Sequence, residues 1–491
     1  MKTLAIDQGT TSTRAFILQP GGEMPQIAGL PHAQIYPGAG RVEHDPEELI
    51  RNIAACLVAA DDPQIGAIGI DNQGESCLAW DGATGKAISP VIVWQDDRTA
   101  SVCARLRADG HETLVTRLTG LPLDPYFSAT KLKWILLNVA AAPTLLRQGR
   151  LRMGTTDAFF RDRLTGRFET DVTTASRTSL MNLANCQWDA DLCRLFGVPI
   201  EALPQITPST GDLGLVDLGG RKVPLTASIV DQQASLYGHG CRRAGDTKIT
   251  FGTGAFALAV TGDLPLGGST KALPTLAWQK AGEAPVYALD GGVYSAASAV
   301  NWAAEIGLVG HWDEINSFVH PSAAARGLVF VPALAGLACP HWNRAARGAW
   351  FGLSQDTTRA DMMQALLEGI AFRMAEVIET MQQATRVSDI LSIDGGMSAN
   401  PWFCQMLSDV LGRELHISAN TELTAQGTAH LAAEAAGQTV IVLPLGKRIK
   451  PRALPVDALR IFRQGMAAVE AFSQIAMSSA DASRAGSAAQ V

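Results

Sequence analysis

A strand–turn–strand pattern occurs twice in this chain, and the repeat restricts the folds that the chain can adopt. In the first copy, an apolar run at residues 4–6 leads into Asp7, a turn of glycine, threonine and serine at 9–13, and a second apolar run at 15–18. The second copy spans residues 248–260 and has Gly-Thr-Gly at its turn. Each copy predicts a β-hairpin, and the repeat predicts two related halves. Two unrelated hairpins with ordinary polar turns are the alternative.

The turns themselves indicate a ligand. A glycine lets the main chain approach a bound group closely, and hydroxyl side chains supply short donors. Main-chain N–H groups in such a turn form an anion-binding concavity, and a carboxylate at its mouth can hold a cation. We therefore expect phosphate at these turns, with Asp7 beside a divalent metal ion.

Length and composition favour a globular protein with more than one domain. The 491 residues exceed what one hydrophobic core usually serves, and 47% hydrophobic with 18% charged residues is an ordinary globular balance. The net charge of −7 gives no electrostatic support for a nucleic-acid or anionic-membrane partner. The 8 cysteines are scattered without a CxxC pair, which predicts free buried thiols. No secretory signal or membrane-spanning run is visible, so we expect a cytoplasmic protein.

Strand and helix patterns alternate along the chain, which predicts an α/β fold. The apolar run at residues 65–70 ends in the polar residues 71–75, and another at 227–230 ends in Asp231. Polar residues at the carboxyl ends of parallel strands gather at one edge of a sheet, where ligands bind. Residues 171–183 are rich in threonine and serine and predict a loop beside this edge.

Eight segments, in this order, resemble the FGGY carbohydrate kinases, and within them the glycerol kinases. The segments are DQGTTSTR, NQGES, VIVWQDDRT, GLPLDPYFSATKLKW, TTASRTSLMNL, DQQASLYGHG, TFGTGAF and DGGMSANPWF. The resemblance runs from about residue 3 to about residue 440. It implies an α/β protein of two ribonuclease-H-like domains, of the actin and hexokinase type, with the active site in the cleft between them.

The implied domain limits are residues 1–242 for the substrate and phosphate side and 243–445 for the nucleotide side. Residues 446–491 would form a C-terminal extension, whose Ser/Ala-rich end is predicted to be disordered or a frayed helix. A homodimer or homotetramer, common in this family, is the expected assembly.

The resemblance implies an enzyme that uses ATP and Mg²⁺ to phosphorylate a primary hydroxyl of a small polyol, in first place glycerol. Asp231, in the matching DQQ motif, is the expected general base, and Asp7 the expected carboxylate near the metal. The acceptor would be bound by Gly74, Glu75, Trp94, Tyr126, Asp231, Gln232 and Phe256. The nucleotide would be bound by Thr10, Thr11, Ser12, Arg14, Gly252, Thr253, Gly254, Ala297, Asn301, Gly395, Gly396 and Asn400.

Structural roles are the alternative at several of these positions. Asp231 and Asn400 could each act as a helix N-cap, and Trp94 and Phe256 could belong to the core. Many glycerol kinases carry glycine and glutamine where this chain has Ala297 and Asn301.

Gly74 is the main departure from the glycerol-kinase pattern, which typically has arginine before this glutamate. Losing a charged hydrogen bond to a substrate hydroxyl costs about 1.5–3 kcal/mol, and the missing side chain is expected to leave empty volume. Two hypotheses follow. Either glycerol is still the acceptor, or the site fits a longer polyol or ketose of the erythritol, threitol, erythrulose, xylulose or ribulose type.

Two other classes of protein are alternatives to a kinase. A catalytically inactive nucleotide-dependent sensor could use the same fold, although Asp7 and Asp231 are both present. A Rossmann oxidoreductase is disfavoured because no GxGxxG follows the first strand and a hairpin is predicted there instead of a helix.

Overall fold

Two large β-sheets, each covered by helices, form the body of the protein. The computed structural model describes residues 1–266, 271–441, 446–453 and 457–488, and for 476–488 only the backbone. The predicted α/β class is confirmed by a six-stranded sheet in the first half of the chain and a seven-stranded sheet in the second. No helix in these ranges is long and apolar enough to cross a membrane.

The first half, residues 1–242, is described without gaps and contains fourteen strands and nine α-helices. Its strands are β1 (Lys2–Gln8), β2 (Ser12–Leu18), β3 (Gln26–Pro31), β4 (Glu43–His44), β5 (Ile65–Asn72), β6 (Cys77–Asp81), β7 (Val91–Ile92), β8 (Leu151–Thr155), β9 (Glu169–Asp171), β10 (Met181–Asn182), β11 (Gln187–Trp188), β12 (Gln205–Thr207), β13 (Leu215–Leu218) and β14 (Arg221–Val230). Its helices are α1 (Pro46–Ala59), α2 (Ala100–Ala108), α3 (Glu112–Thr119), α4 (Ser128–Asn138), α5 (Ala142–Arg147), α6 (Thr156–Thr165), α7 (Val172–Ala175), α8 (Ala190–Phe196) and α9 (Asp231–Gly238).

The six-stranded sheet brings the ends of three parallel strands together. Its order is β13-β14-β5-β1-β2-β3, with β1 and β2 forming the predicted antiparallel hairpin. Strand β5 runs parallel to both β1 and β14, and Asp7 lies opposite Asp71 across β1 and β5. The chain leaves β14 directly into α9, whose first residue is Asp231. Three carboxylates therefore meet at one edge of the sheet.

The described part of the second half repeats this plan. Its strands are β15 (Thr247–Phe251), β16 (Ala255–Gly262), β17 (Leu273–Trp278), β18 (Val286–Val293), β19 (Val329–Val331), β20 (Ala349–Phe351), β21 (Ile390–Gly395), β22 (Glu414–Ile417) and β23 (Lys447–Ile449). Its helices are α10 (Ala297–Glu305), α11 (Arg359–Gln382), α12 (Pro401–Leu411), α13 (Leu423–Ala435) and α14 (Ala458–Ala488). The sheet order is β17-β18-β16-β15-β21-β22-β23, and β15 with β16 forms the second predicted hairpin.

Helix α13 of the second half packs against α9 and the sheet of the first. The two helices touch through glycines: a Cβ on Gly427 would lie 1.8 Å from the carbonyl oxygen of Ala234, and one on Gly238 would lie 1.9 Å from that of Leu423. Only glycine permits such close approach. The next residue, Thr428, donates a 2.7 Å hydrogen bond from Oγ1 to Asp71 Oδ2 in the first sheet.

Several local predictions can be compared directly with the structure. Asp45 caps α1 by accepting a hydrogen bond from the main-chain N–H of Glu47, and all eight cysteines are free and buried, as predicted. The loop predicted at residues 171–183 is wrong in part, because Asp171 caps the short helix α7 and a short strand follows. Helix α14 continues to Ala488, so the predicted Ser/Ala-rich tail is helical up to that point, and residues 489–491 lie outside the described part.

Candidate active site

Asp231 stands at the amino end of α9, where β14 ends. The second half of the preceding strand is buried, and most of the helix that follows is buried as well. Asp231 Oδ1 accepts a 2.6 Å hydrogen bond from the main-chain N–H of Gln232. Because Val230 is the residue in the N-cap position, the structure assigns Asp231 to the first helical turn instead of the predicted alternative cap.

The environment of Asp231 suits a proton acceptor. Burial raises the pKa of its carboxyl group from 3.8 to about 7, and the negative charges of Glu75 and Asp7 act in the same direction. The hydrogen bond from Gln232 and the charge of Lys248 act against this rise. A carboxyl group that titrates near neutral pH can take a proton from a substrate and release it again.

A cavity of about 610 Å³ opens in front of Asp231. The structure brings all seven predicted acceptor residues to its wall, namely Gly74, Glu75, Trp94, Tyr126, Asp231, Gln232 and Phe256. The wall therefore combines carboxylates with aromatic faces, which suits a small molecule with hydroxyl groups on a carbon chain.

Hydrogen bonds and a ring contact fix the positions of the aromatic residues in the cavity wall. The rings of Trp94 and Tyr126 meet edge to face with centroids 5.7 Å apart. Trp94 Nε1 donates a 3.2 Å hydrogen bond to Thr10 Oγ1, which links the first turn to this wall. The buried Lys131 donates from Nζ to the carbonyl oxygens of Tyr126, at 2.8 Å, and Trp94, at 3.5 Å. The sequence motifs do not predict Lys131 as a site residue.

Arg177 is a second residue that the sequence predictions missed. Its Nε donates a 2.7 Å hydrogen bond to Glu75 Oε1, and its Nη2 lies 3.1 Å from Asp290 Oδ2. The side chain is only 4% exposed and lines the cavity. Burial lowers the pKa of this guanidinium, but the charges of Glu75 and Asp290 outweigh burial and raise it. The cavity therefore contains a fixed positive charge.

A side chain at residue 74 would begin in close contact with its neighbours, although Gly74 also lines the cavity of about 610 Å³. A Cβ on Gly74 would lie 3.0 Å from Cγ1 of Val230 and 3.5 Å from Cγ of Arg177. The branched side chain of Val230 and the aliphatic stem of Arg177 thus lie next to the point at which a side chain at residue 74 would begin. The motif around Gly74 could not show this, because both neighbours come from distant parts of the sequence.

Asp7 and Asp71 form an acidic pair at the end of β1 and β5. Arg14 donates from Nη2 to Asp7 Oδ2 and from Nη1 to Glu422 Oε2. Asp71 is fully buried, and burial together with the charge of Asp7 raises its pKa well above 3.8. Asp71 Oδ1 has no hydrogen-bond partner among the described residues.

Lys248, in the second half of the chain, contacts the side chain of Gln232, the neighbour of Asp231. It is fully buried on β15, and its Nζ donates to Gln232 Oε1 at 2.6 Å and to Thr250 Oγ1 at 2.9 Å. Burial lowers its pKa, while the charges of Asp394, Asp290 and Asp231 raise it. Because the carboxamide oxygen of Gln232 faces Lys248, the amide NH₂ group remains as the donor.

A separate cavity of about 870 Å³ lies in the second half of the chain, between α10, α11 and the segment 396–400. Four predicted nucleotide residues line it: Ala297, Asn301, Gly396 and Asn400. Asn400 also caps α12, accepting a 2.9 Å hydrogen bond from the N–H of Phe403, so its structural role as an N-cap is confirmed, while its role in nucleotide binding stays a prediction. Trp312, 55% exposed, adds an aromatic face that the sequence motifs do not predict.

The remaining predicted nucleotide residues are not on the wall of that cavity. Thr10 borders the cavity in front of Asp231. Thr11 and the residues Gly252, Thr253 and Gly254 lie in the two hairpin turns, Ser12 and Arg14 lie at the start of β2, and Gly395 ends β21 beside Phe251. These residues therefore lie at strand ends and in turns.

Comparison with known proteins agrees with this architecture. The model of the N-terminal domain of the FGGY family of carbohydrate kinases matches residues 2–238, and the model of its C-terminal domain matches residues 247–436. The chain belongs to the FGGY family of carbohydrate kinases. The predicted family and the predicted kinase activity are confirmed, and ATP use follows from membership of the family.

Curated relatives resemble this FGGY kinase over most of their length. A glycerol kinase of Thermus brockianus is 42% identical over 464 residues, covering 92% of this chain and 94% of the relative. A glycerol kinase of Methylobacterium nodulans is 41% identical over 449 residues, covering 88% and 89%.

A solved structure gives the same result for the fold. The crystal structure of Plasmodium falciparum glycerol kinase with ADP superimposes with a TM-score of 0.88 at 28% identity, covering 96% of this chain and 97% of that one. The FGGY kinase described here therefore has the two-domain fold of glycerol kinase structures, as predicted. The domain limits at residues 242 and 445 remain predictions.

Proposed function

We propose that this FGGY kinase transfers the γ-phosphoryl group of ATP to a primary hydroxyl of glycerol, giving glycerol 3-phosphate. The observation that carries the proposal is the single cavity that joins Asp231 to Glu75 and to the aromatic faces of Trp94 and Phe256. Relatives that are about 40% identical over most of their length are named glycerol kinases.

In this proposal Asp231 accepts the proton of the attacking hydroxyl. Phosphoryl transfer depends mainly on positioning and charge neutralisation, with a carboxylate to receive the proton. The carboxyl group has a pKa of about 7, so it is largely ionised above neutral pH and can act as the base. Glu75 and the amide of Gln232 would hold the other hydroxyls, while the aromatic faces pack against the carbon chain.

The nucleotide would lie between the two hairpin turns. Thr11 in the first turn, Ser12 and Arg14 at the start of β2, and the Gly252–Gly254 turn would supply main-chain and side-chain donors for phosphate, as such turns generally do. The cavity lined by Asn301 and Asn400 would receive the adenosine.

We propose Mg²⁺ as the metal, near Asp7. Mg²⁺ is usually held by one or two carboxylates together with phosphates and water, and the partnerless Oδ1 of Asp71 beside Asp7 fits such a site. When bound, the ion would neutralise charge on the phosphates. Asp7 would orient the ion, and Arg14 would hold Asp7 in place.

A longer polyol or ketose is the second candidate acceptor. The cavity in front of Asp231 shares Tyr126, Arg177, Phe256 and Asp290 with a neighbouring cavity of about 410 Å³. The second cavity could receive carbons beyond the third. This observation favours the enlarged-site hypothesis that Gly74 raised.

An acceptor panel tests both candidates. ADP formation is measured with glycerol, erythritol, threitol, erythrulose, xylulose and ribulose. Glycerol is expected to give the highest kcat/KM. A longer acceptor with a higher kcat/KM would replace glycerol as the substrate, and the absence of turnover with every acceptor would support the inactive sensor.

A cytoplasmic location and a homodimer or homotetramer are further parts of the proposal. Light scattering on the purified protein tests the assembly, and a monomer at micromolar concentration would contradict it.

A further inference from the structure

We propose that Arg177 is an acceptor-binding residue, and that its Nη1 group donates a hydrogen bond to a substrate hydroxyl other than the one that is phosphorylated. The inference rests on the proposed function, since it assigns a role within the same acceptor cavity. The predictions from the family motifs do not include Arg177, and phosphoryl transfer itself does not require it.

The first argument is the state of the guanidinium itself. Its Nε and Nη2 groups are bound to Glu75 and Asp290, but Nη1 is buried and has no hydrogen-bond partner among the described residues. A buried donor on a charged group is costly to leave unpaired, so a ligand that accepts its hydrogen bond gains strongly. A hydroxyl oxygen has two lone pairs and can accept it.

The second argument is position. Arg177 lines both the cavity in front of Asp231 and the neighbouring one, so it stands where the two meet. Its guanidinium carbon lies 5.7 Å from the ring centroid of Tyr126 and 5.4 Å from that of Phe127, which holds the group against the aromatic wall. A polyol that reaches Asp231 with one end would present its other hydroxyls toward this wall.

The third argument is the exchange of space around Gly74. The stem of Arg177 passes within 3.5 Å of the position that a Cβ on Gly74 would take. A guanidinium therefore enters this region from residue 177 and not from residue 74. The ion pair with Asp290 on β18 also ties the group to the second half of the chain. Binding of the acceptor to Arg177 would thus affect contacts in both halves of the chain.

The test compares Arg177→Lys with wild type on substrates that differ by one hydroxyl. The acceptors are glycerol, propane-1,2-diol and propane-1,3-diol. Lysine keeps the charge beside Glu75 and Asp290 but cannot reproduce the planar fork. We expect kcat/KM for glycerol to fall at least about 10-fold, mainly through KM, as for a lost hydrogen bond to a charged group. For the diol that lacks the contacted hydroxyl, we expect a fall of less than about 3-fold.

Controls separate binding from folding. Arg161→Lys alters another buried guanidinium, paired with Glu169 away from the cavity, and should leave kcat/KM for glycerol unchanged. ADP affinity of Arg177→Lys should match that of wild type. If Arg177→Lys does not fold, Arg177→Gln, which keeps an amide donor without the charge, replaces it in the same comparison.

The outcomes for the two proposals are distinct. Equal losses of kcat/KM with glycerol and both diols would show that Arg177 only supports the fold, and would overturn the inference. A wild-type enzyme that does not use glycerol but uses a longer polyol would overturn the proposed acceptor. The Arg177 comparison would then use that polyol and its deoxy analogues, with the same criterion.

Discussion

Replacing Asp231 with asparagine should remove activity and stabilise the protein in the same step. A pKa raised from 3.8 to about 7 corresponds to about 4 kcal/mol of unfavourable ionisation in the folded state above pH 7, at 1.36 kcal/mol per pKa unit. Asp231 borders an open cavity and is not fully buried, so solvent reduces this figure. We expect Asp231→Asn to raise the free energy of unfolding by about 1–3 kcal/mol at alkaline pH.

The sign of the pH dependence follows from proton binding. The unfolded chain loses the Asp231 proton near pH 3.8, whereas the folded protein keeps it until about pH 7. Between these values the folded state binds more protons, so wild-type stability falls as pH rises and stays lower above the folded pKa. Asparagine does not ionise. The stability advantage of the variant must therefore grow from acid pH to about pH 8.5.

Thermal unfolding measured at about pH 5.5 and about pH 8.5 checks the stability effect, and coupled ADP release checks activity. Turnover should fall about 10²–10⁴-fold, as for loss of a positioned base, while ADP still binds. Asp191→Asn, an exposed aspartate on α8, is the matched control. Two results would refute the reasoning. One is a difference in Tm between Asp231→Asn and wild type that does not change with pH, and the other is a wild-type kcat/KM for glycerol that does not rise through about pH 7.

Three further results are expected. Lys248→Met should lower kcat/KM for the acceptor about 10–100-fold because Gln232 loses a charged hydrogen bond. The pH profile of kcat/KM should also move to higher pH, because the charge of Lys248 lowers the pKa of Asp231. An unchanged pH profile would contradict this. Gly427→Ala should lower the free energy of unfolding by about 3 kcal/mol or more through overpacking against α9, which thermal unfolding measures. Gly38→Ala is the control and should leave the stability unchanged, since the nearest atom to its new Cβ lies 3.7 Å away. Chelation by EDTA should stop turnover and Mg²⁺ restore it, and Asp7→Asn should raise the Mg²⁺ concentration for half-maximal rate; equal Mg²⁺ dependence would argue against Asp7.

The sequence predicts the parts of the site that lie in local patterns. Asp7 lies next to the end of β1 and Asp231 directly follows β14. Because the carboxyl ends of parallel strands meet at one edge of a sheet, this pattern indicates that the two carboxylates lie near each other. The prediction of residues 171–183 as a loop is wrong in part, because Asp171 caps a helix of only four residues. Such a short helix has too few positions to show a period.

The rest of the site depends on contacts between distant segments. Arg177 and Asp290 are ordinary polar residues in their own segments, and only folding brings them to Glu75. The close contact at Gly74 likewise depends on Val230, which in sequence is the last residue of an apolar strand. No local pattern carries the identity of a neighbour about a hundred residues away, so these features could not be predicted.

The glycine contact between α9 and α13 has a consequence for how the cleft can open. Where Gly238 and Gly427 bring two main chains together, no side chains remain that could slide past one another, so shear at this place is blocked. Rotation about the contact is the remaining movement of the hinge type. Thr428 lies next to this contact, so its hydrogen bond to Asp71 would persist while the two hairpin turns, carried by the rotating halves, separate and approach. Cleft closure would then be a rotation of the two halves as rigid bodies about the α9–α13 contact. The acidic pair Asp7 and Asp71 would keep its position near the rotation axis.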